Sequence, residues 1–267
     1  MTGRPATIIR ASPGKGAVAQ LGERLVRNEE VRGSIPLSST THPPRKMRRK
    51  ARPTPAELGL SAAEGRVLQD LRTPQRIQEF IVDGLKTNFE EEGDTLRSVQ
   101  DVLKHRKAHC IEAAFTAACA LWLAGEPPLI MDLEAHRDSD HVIALFKRGG
   151  CWGAISKSNH VWLRWRDPVY RTPRELAMSY FHEYTNKQRK SLRTYSMPID
   201  MRRFAIDSWI TNKDDCWEAG AALCDVRHYK LLTPAQARAL TPRDSTEMRA
   251  DDLVQYESRD RKRSRRY

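Results

Sequence analysis

The chain has 267 residues, 39% of them hydrophobic and 30% charged, with a formal net charge of +12. That length suits one well-cored domain with appendages, or at most two small ones, and no window approaches the roughly 18 continuous apolar residues of a membrane helix. The positive surplus is concentrated in residues 1–56 and 257–267, leaving 57–256 close to neutral; charged ends are more often solvated than built into a phosphate-binding face.

In chain order, residues 1–55 read as a disordered leader. Within it, Ala19–Arg24 and Gly33–Pro36 resemble the D-arm and T-arm of a transfer-RNA gene read in one frame and in the right order. The expectation is a true start near Met47. Residues 56–186 then read as a core with N-terminal helices. Ser61 and Glu64 have capping-box spacing, and Thr73-Pro74 supplies an N-cap followed by a first-turn proline. Ile77, Phe80, Ile81 and Leu85 recur at helical spacing, and Leu96, Val99 and Leu103 predict a short helix. After Cys110, a stripe of Ile111, Ala114, Phe115, Ala118, Leu121 and Trp122 predicts a longer one, stopped by Gly125 and Pro127-Pro128.

Leu129–Leu133 and His141–Phe146 are apolar runs of strand length. Gly149-Gly150 makes a hairpin turn into Cys151–Ile155. Pro173–Tyr184 reads as a helix. The signal then weakens: 187–250 is expected as a mixed C-terminal extension of the same domain, with a short helix at Thr233-Pro234, and 251–267 as a basic disordered tail.

The five cysteines are odd in number and lack paired spacing, and the N-terminus has no compact apolar run. Reduced thiols in the cytoplasm are expected. Cys110 is the one with a chemical setting. A thiol needs a helix N-terminus or a neighbouring imidazolium to lower its pKa. Cys110 opens the apolar helix, and His141 opens a strand able to lie against it. Cys119 reads as packing; Cys151, Cys216 and Cys224 carry no argument beyond core or surface thiols. His136 and His109 are near enough in sequence to raise a metal site with Cys110, but no Cys-x-x-Cys pair supports one. Glu112, next to the nucleophile, could contact an amine; on an exposed helix face it is unremarkable. Trp162 and Trp165, interleaved with Arg164 and Arg166, read as an amphipathic extended segment before a base-stacking one.

The stretches Asp94–Leu103, Lys107–Phe115, Asp140-His141-Val142 and Gly150–Ile155 resemble the nucleophile region and the following strands of the transglutaminase-like superfamily. Ser158-Asn159-His160 and Asp167–Arg171 resemble a bacterial subgroup of it. The resemblance covers roughly a third of the chain. It implies an α+β fold with a papain-like core, a nucleophile helix packed on a small antiparallel sheet, and Cys110 and His141 as the catalytic pair. It also implies acyl transfer or hydrolysis on an amide- or peptide-containing substrate, without metal or organic cofactor. The family's aspartate falls at Ser156, which orients an imidazole without stabilising its charge. Asn159 and Asp167 are the other candidates for the imidazole-orienting residue. Two alternatives stand beside this reading: an inactive module that keeps the fold, and a nucleic-acid-associated protein acting through Arg259–Arg266. No membrane partner is expected.

Overall fold

The computed structural model describes residues 52–91 and 93–256. Residues 1–51 of the leader, the start near Met47 and the Arg259–Arg266 stretch lie outside these residues.

The first two helices begin where their caps predict. In α1 (Ala62–Gln69) the Ser61 hydroxyl accepts the Glu64 N–H, and Glu64 Oε2 accepts the Ser61 N–H at 2.8 Å. In α2 (Pro74–Asp83) Thr73 Oγ1 accepts the Arg76 N–H at 3.2 Å. A two-residue strand β1 (Lys86–Thr87) follows, then α3 (Val99–His105) and β2 (Lys107–Ala108), which pairs in parallel with β1.

Helix α4 (Cys110–Leu123) is the centre of the molecule. The expected apolar stripe is too narrow a description of it. Ala113, Ala117, Cys119, Ala120 and Leu123 are buried as fully as the stripe residues Ala118 and Leu121, so the helix is enclosed on nearly every side. It ends in a paired-carbonyl cap: Gly125, at φ 90°, donates to Trp122 O, and Glu126 donates to Leu121 O. A left-handed residue is needed there, and glycine adopts it without a Cβ clash.

Strands β3 (Leu129–Ala135), β4 (His141–Arg148) and β5 (Cys151–Ile155) form a meander. Its second turn places Gly149 and Gly150 at φ 57° and 82°, the two left-handed positions of a tight hairpin. Next come β6 (Arg166–Tyr170), α5 (Pro173–Met178), β7 (Leu192–Ser196), β8 (Ile199–Asp200), α6 (Trp217–Asp225), β9 (His228–Lys230), α7 (Pro234–Arg238) and α8 (Ser245–Ala250). The seven-stranded sheet runs β6-β5-β4-β3-β7-β9, with β8 also on β3, and every pairing in it is antiparallel.

The result is a mixed helix-and-sheet fold whose two faces are buried separately. Val142, Ala144 and Phe146 of β4 pack with α4 and the N-terminal helices, and the alternate residues Ile143 and Leu145 pack with Leu176, Tyr180, Phe181 and Tyr184. Period-two alternation thus gives a two-sided core. At Gly153 an added Cβ would lie 2.4 Å from the Phe146 ring and 2.9 Å from Arg166 O, so only glycine lets β4, β5 and β6 close here.

Two expectations are corrected, on the helix after Thr172 and on the start of the tail. The helix predicted over Pro173–Tyr184 stops at Met178; hydrogen-bonded turns carry the chain on to Tyr184. Within 187–250, expected as a mixed C-terminal extension of the same domain, β7 pairs directly with the central strand β3. The first part of the expected tail is tied down: Val254 bridges His160, and Gln255 N donates to Asn159 O at 3.0 Å. No helix among the described residues is long and apolar enough to cross a membrane.

Candidate active site

The site starts at a break in the chain. Arg106 is left-handed (φ 54°) and ends α3, β2 follows, and the chain turns at once into α4 with His109 as N-cap and Cys110 as the first helical residue. The same break separates His105 from His109, so this four-residue spacing does not put two imidazoles on one helix face. First-turn N–H groups have no partner within a helix and carry partial positive charge. Here Glu112 Oε2 accepts the His109 N–H at 2.9 Å.

Glu112 is fully buried, not on an exposed face as its position suggested. The segment before α3 folds over it and supplies donors: the Thr95 hydroxyl at 2.8 Å, the Arg97 N–H at 2.9 Å and the Asn88 amide at 3.2 Å. A carboxylate anion can accept all of them. The His109 ring lies beside it, with Nε2 2.9 Å from Thr95 O and 3.4 Å from Glu112 Oε1. Burial opposes charge on this ring, but its hydrogen bond to the Cys110 sulfur and the negative Glu112 outweigh that, pushing it up to about 9.

Cys110 is half-buried and opens into a cleft of about 650 Å³. Burial works against its thiolate. Hydrogen bonds from His109 and His141, and the positive charge of those rings, overcome it and bring the thiol down to about 5. The sulfur also lies 3.9 Å from the Asp140 carbonyl. The Asp140 carboxyl is pushed up to about 7 by loss of water, reinforced by Asp132 and Glu134, and it accepts the Ala135 N–H at 2.8 Å.

His141 heads β4 and is buried. Its Nε2 lies 2.6 Å from Ser156 Oγ and 3.1 Å from Leu163 O, and the Ser156 hydroxyl donates to that same carbonyl at 2.8 Å. With its own hydrogen committed, the serine accepts from the imidazole. Nε2 therefore carries the hydrogen, and Nδ1 is left as the ring's free acceptor. The rings of Tyr180 and Tyr184 flank His141 edge-on, each 6.5 Å between centroids.

Of the three residues considered for orienting the imidazole, Ser156 is the one placed on it. The Asn159 side chain pairs instead with Tyr256, donating to its carbonyl and accepting its N–H, both at 2.9 Å. Asp167 lies on β6, where it accepts the Trp165 indole N–H at 2.9 Å. The adjoining Lys157 went unremarked in the sequence. Its buried amine donates to Ile81 O and Leu85 O at 3.0 and 2.8 Å, which ties the chain beyond β5 to the end of α2. Burial, then Arg164, bring that amine down to about 8.

The other thiols differ in kind. Cys216 and Cys224 are pushed up to about 12 and about 11, first by burial and then by neighbouring carboxylates, and buried Cys119 is raised by burial alone. Among the described residues one group has the spacing to hold a metal ion: Asp132, Glu134 and His228, with ligand atoms within 4.8 Å of one another. An ordinary pairing accounts for it, since His228 Nε2 lies 3.1 Å from Asp132 Oδ2 and Nδ1 lies 2.8 Å from Val226 O. Compared with known proteins, the chain matches no protein-family model and no curated protein.

Proposed function

We propose that the protein is a transglutaminase-like cysteine acyltransferase or amide hydrolase, with a papain-like core and Cys110 and His141 as its reactive pair. One observation carries this reading: Cys110 opens a buried helix at a cleft that it shares with His141, whose Nε2 is already occupied by Ser156, and these surroundings bring the thiol down to about 5. A low-pKa, partly exposed cysteine beside a base is the setting of a nucleophile.

The chemistry follows from the placement. The thiol proton passes to His141 Nδ1, and the thiolate attacks an amide carbonyl carbon to form a C–S bond. The resulting oxyanion is stabilised by free N–H groups at the start of α4, including that of Cys110. As the C–N bond breaks, the proton on His141 goes to the leaving amine. The thioester is then cleaved by water, giving hydrolysis, or by a second amine, giving transamidation; His141 takes the nucleophile's proton and the thiol is regenerated.

Ser156 favours a second reading, a module that keeps the fold without turnover, because a neutral oxygen backs the imidazole. A test that separates the two uses p-nitrophenyl acetate as acyl donor. The active reading predicts an acetyl adduct on the Cys110 peptide, cleared by water or by added glycine amide, with adduct formation abolished in Cys110→Ala and clearance slowed in His141→Ala. No adduct, or one that persists in the unsubstituted protein, supports the inactive module.

A further inference from the structure

We infer that His109 is a second catalytic imidazole: as a cation fixed between Glu112 and the sulfur, it holds the Cys110 thiolate, leaving His141 to move the proton. The inference rests on the acyl-transfer reading and assigns the two rings different work.

The sequence implied one histidine and a missing carboxylate. The structure puts a carboxylate, Glu112, beside the other imidazole, that of His109. His141 has only neutral acceptors on Nε2, Ser156 Oγ and Leu163 O. His109 Nε2 faces acceptors throughout: Thr95 O at 2.9 Å, Glu112 Oε1 at 3.4 Å and Glu90 Oε1 at 3.7 Å. A ring in such surroundings is stabilised as the imidazolium. Glu112 is itself fixed by donors and by the N-terminus of α4, so its position does not depend on the proton state of the sulfur. The same ring belongs to the residue next to Cys110, lines the same cleft, and acts on the thiol to lower its pKa. The groups around the sulfur are then His109 and His141 on the positive side, with burial and Asp140 opposing; a single neutral-backed imidazole would face those alone. The neutral Ser156 is tolerable on these terms because the charge it does not supply is supplied through His109.

The test is the pH profile of Cys110 alkylation by iodoacetamide in the full chain, read by peptide mass. In the unsubstituted protein the midpoint lies near 5. In His109→Asn it moves to within about a unit of a free thiol, roughly 8.5. In His141→Ala it moves less, while clearance of the acetyl adduct fails. His109→Lys, which restores charge but not shape, recovers a low midpoint. A larger shift in His141→Ala than in His109→Asn overturns the inference and leaves the acyl-transfer reading standing. An ordinary midpoint in the unsubstituted protein overturns both. Should His109→Asn not fold, the ring nitrogens of His109 in the unsubstituted protein decide by ¹⁵N shifts. Both nitrogens protonated near neutral pH support the inference; one protonated nitrogen overturns it.

Discussion

Ser156 Oγ accepts the Nε2 hydrogen of His141 at 2.6 Å while giving its own hydrogen to Leu163 O. The two bonds fix the direction of the imidazole with no charge involved. A serine in this place orients the ring as a carboxylate does, but it does not hold the ring's positive charge.

Ser156→Ala should therefore slow clearance of the acetyl adduct by about five- to tenfold, the rate equivalent of losing one neutral hydrogen bond of roughly 1 kcal/mol. Alkylation of Cys110 near neutral pH should change little, because the sulfur keeps both histidines. Stopped-flow acetylation and turnover assays on the variant check this. An unchanged clearance rate would show that Leu163 O alone orients the ring.

Asn159→Ala removes a paired contact of a different kind. Its amide joins Tyr256 by two hydrogen bonds, and Arg164 reaches Gln255 Oε1 at 2.6 Å beside them. The loss should cost about 1–2 kcal/mol and should raise hydrogen exchange at Tyr256 first, with adduct clearance unaltered. Exchange measured by mass spectrometry resolves this. A drop in clearance with no change in exchange would return Asn159 to the catalytic set.

The parts of this arrangement that were legible in the sequence are those with a local cause. Capping residues at Ser61 and Thr73, the apolar run after Cys110 and the two glycines of the β4–β5 turn act on their own neighbours, so pattern reading finds them. Cys110 and His141 were visible because each opens a strongly apolar element. Glu112 was not, although a glutamate three residues beyond a cap is a recognisable signal; with histidine in the cap position the pair does not look like a capping box. Its burial depends on Asn88, Thr95 and Arg97, far enough away in sequence that no periodicity reports them. The same holds for β7. Leu192–Ser196 is short and half polar, and it is a strand because β3 lies beside it. The residues around Val254 are held by Asn159 and His160, a contact across the chain with no local trace.

His228 offers a pH test with a defined sign. Burial opposes its charge, but Asp132 at 3.1 Å and Glu134 raise its pKa above the usual 6.5. A group raised on folding contributes stability that is full below its unfolded value and is lost as pH rises through its folded value. Denaturant midpoints of the unsubstituted protein and His228→Gln should thus differ most below about pH 6 and converge as the pH rises past the raised value. A gap that widens with pH would contradict the assignment.

The most direct measurement is brief labelling of the native chain with iodoacetamide at about pH 6.5, where an ordinary thiol is almost wholly protonated, followed by peptide mapping of all five cysteines. The account predicts one modified peptide, that of Cys110, although Cys224 is the more exposed thiol. Labelling of Cys224 ahead of Cys110, or no labelling until the pH passes about 8, would mean that the sulfur at the head of the central helix is an ordinary thiol.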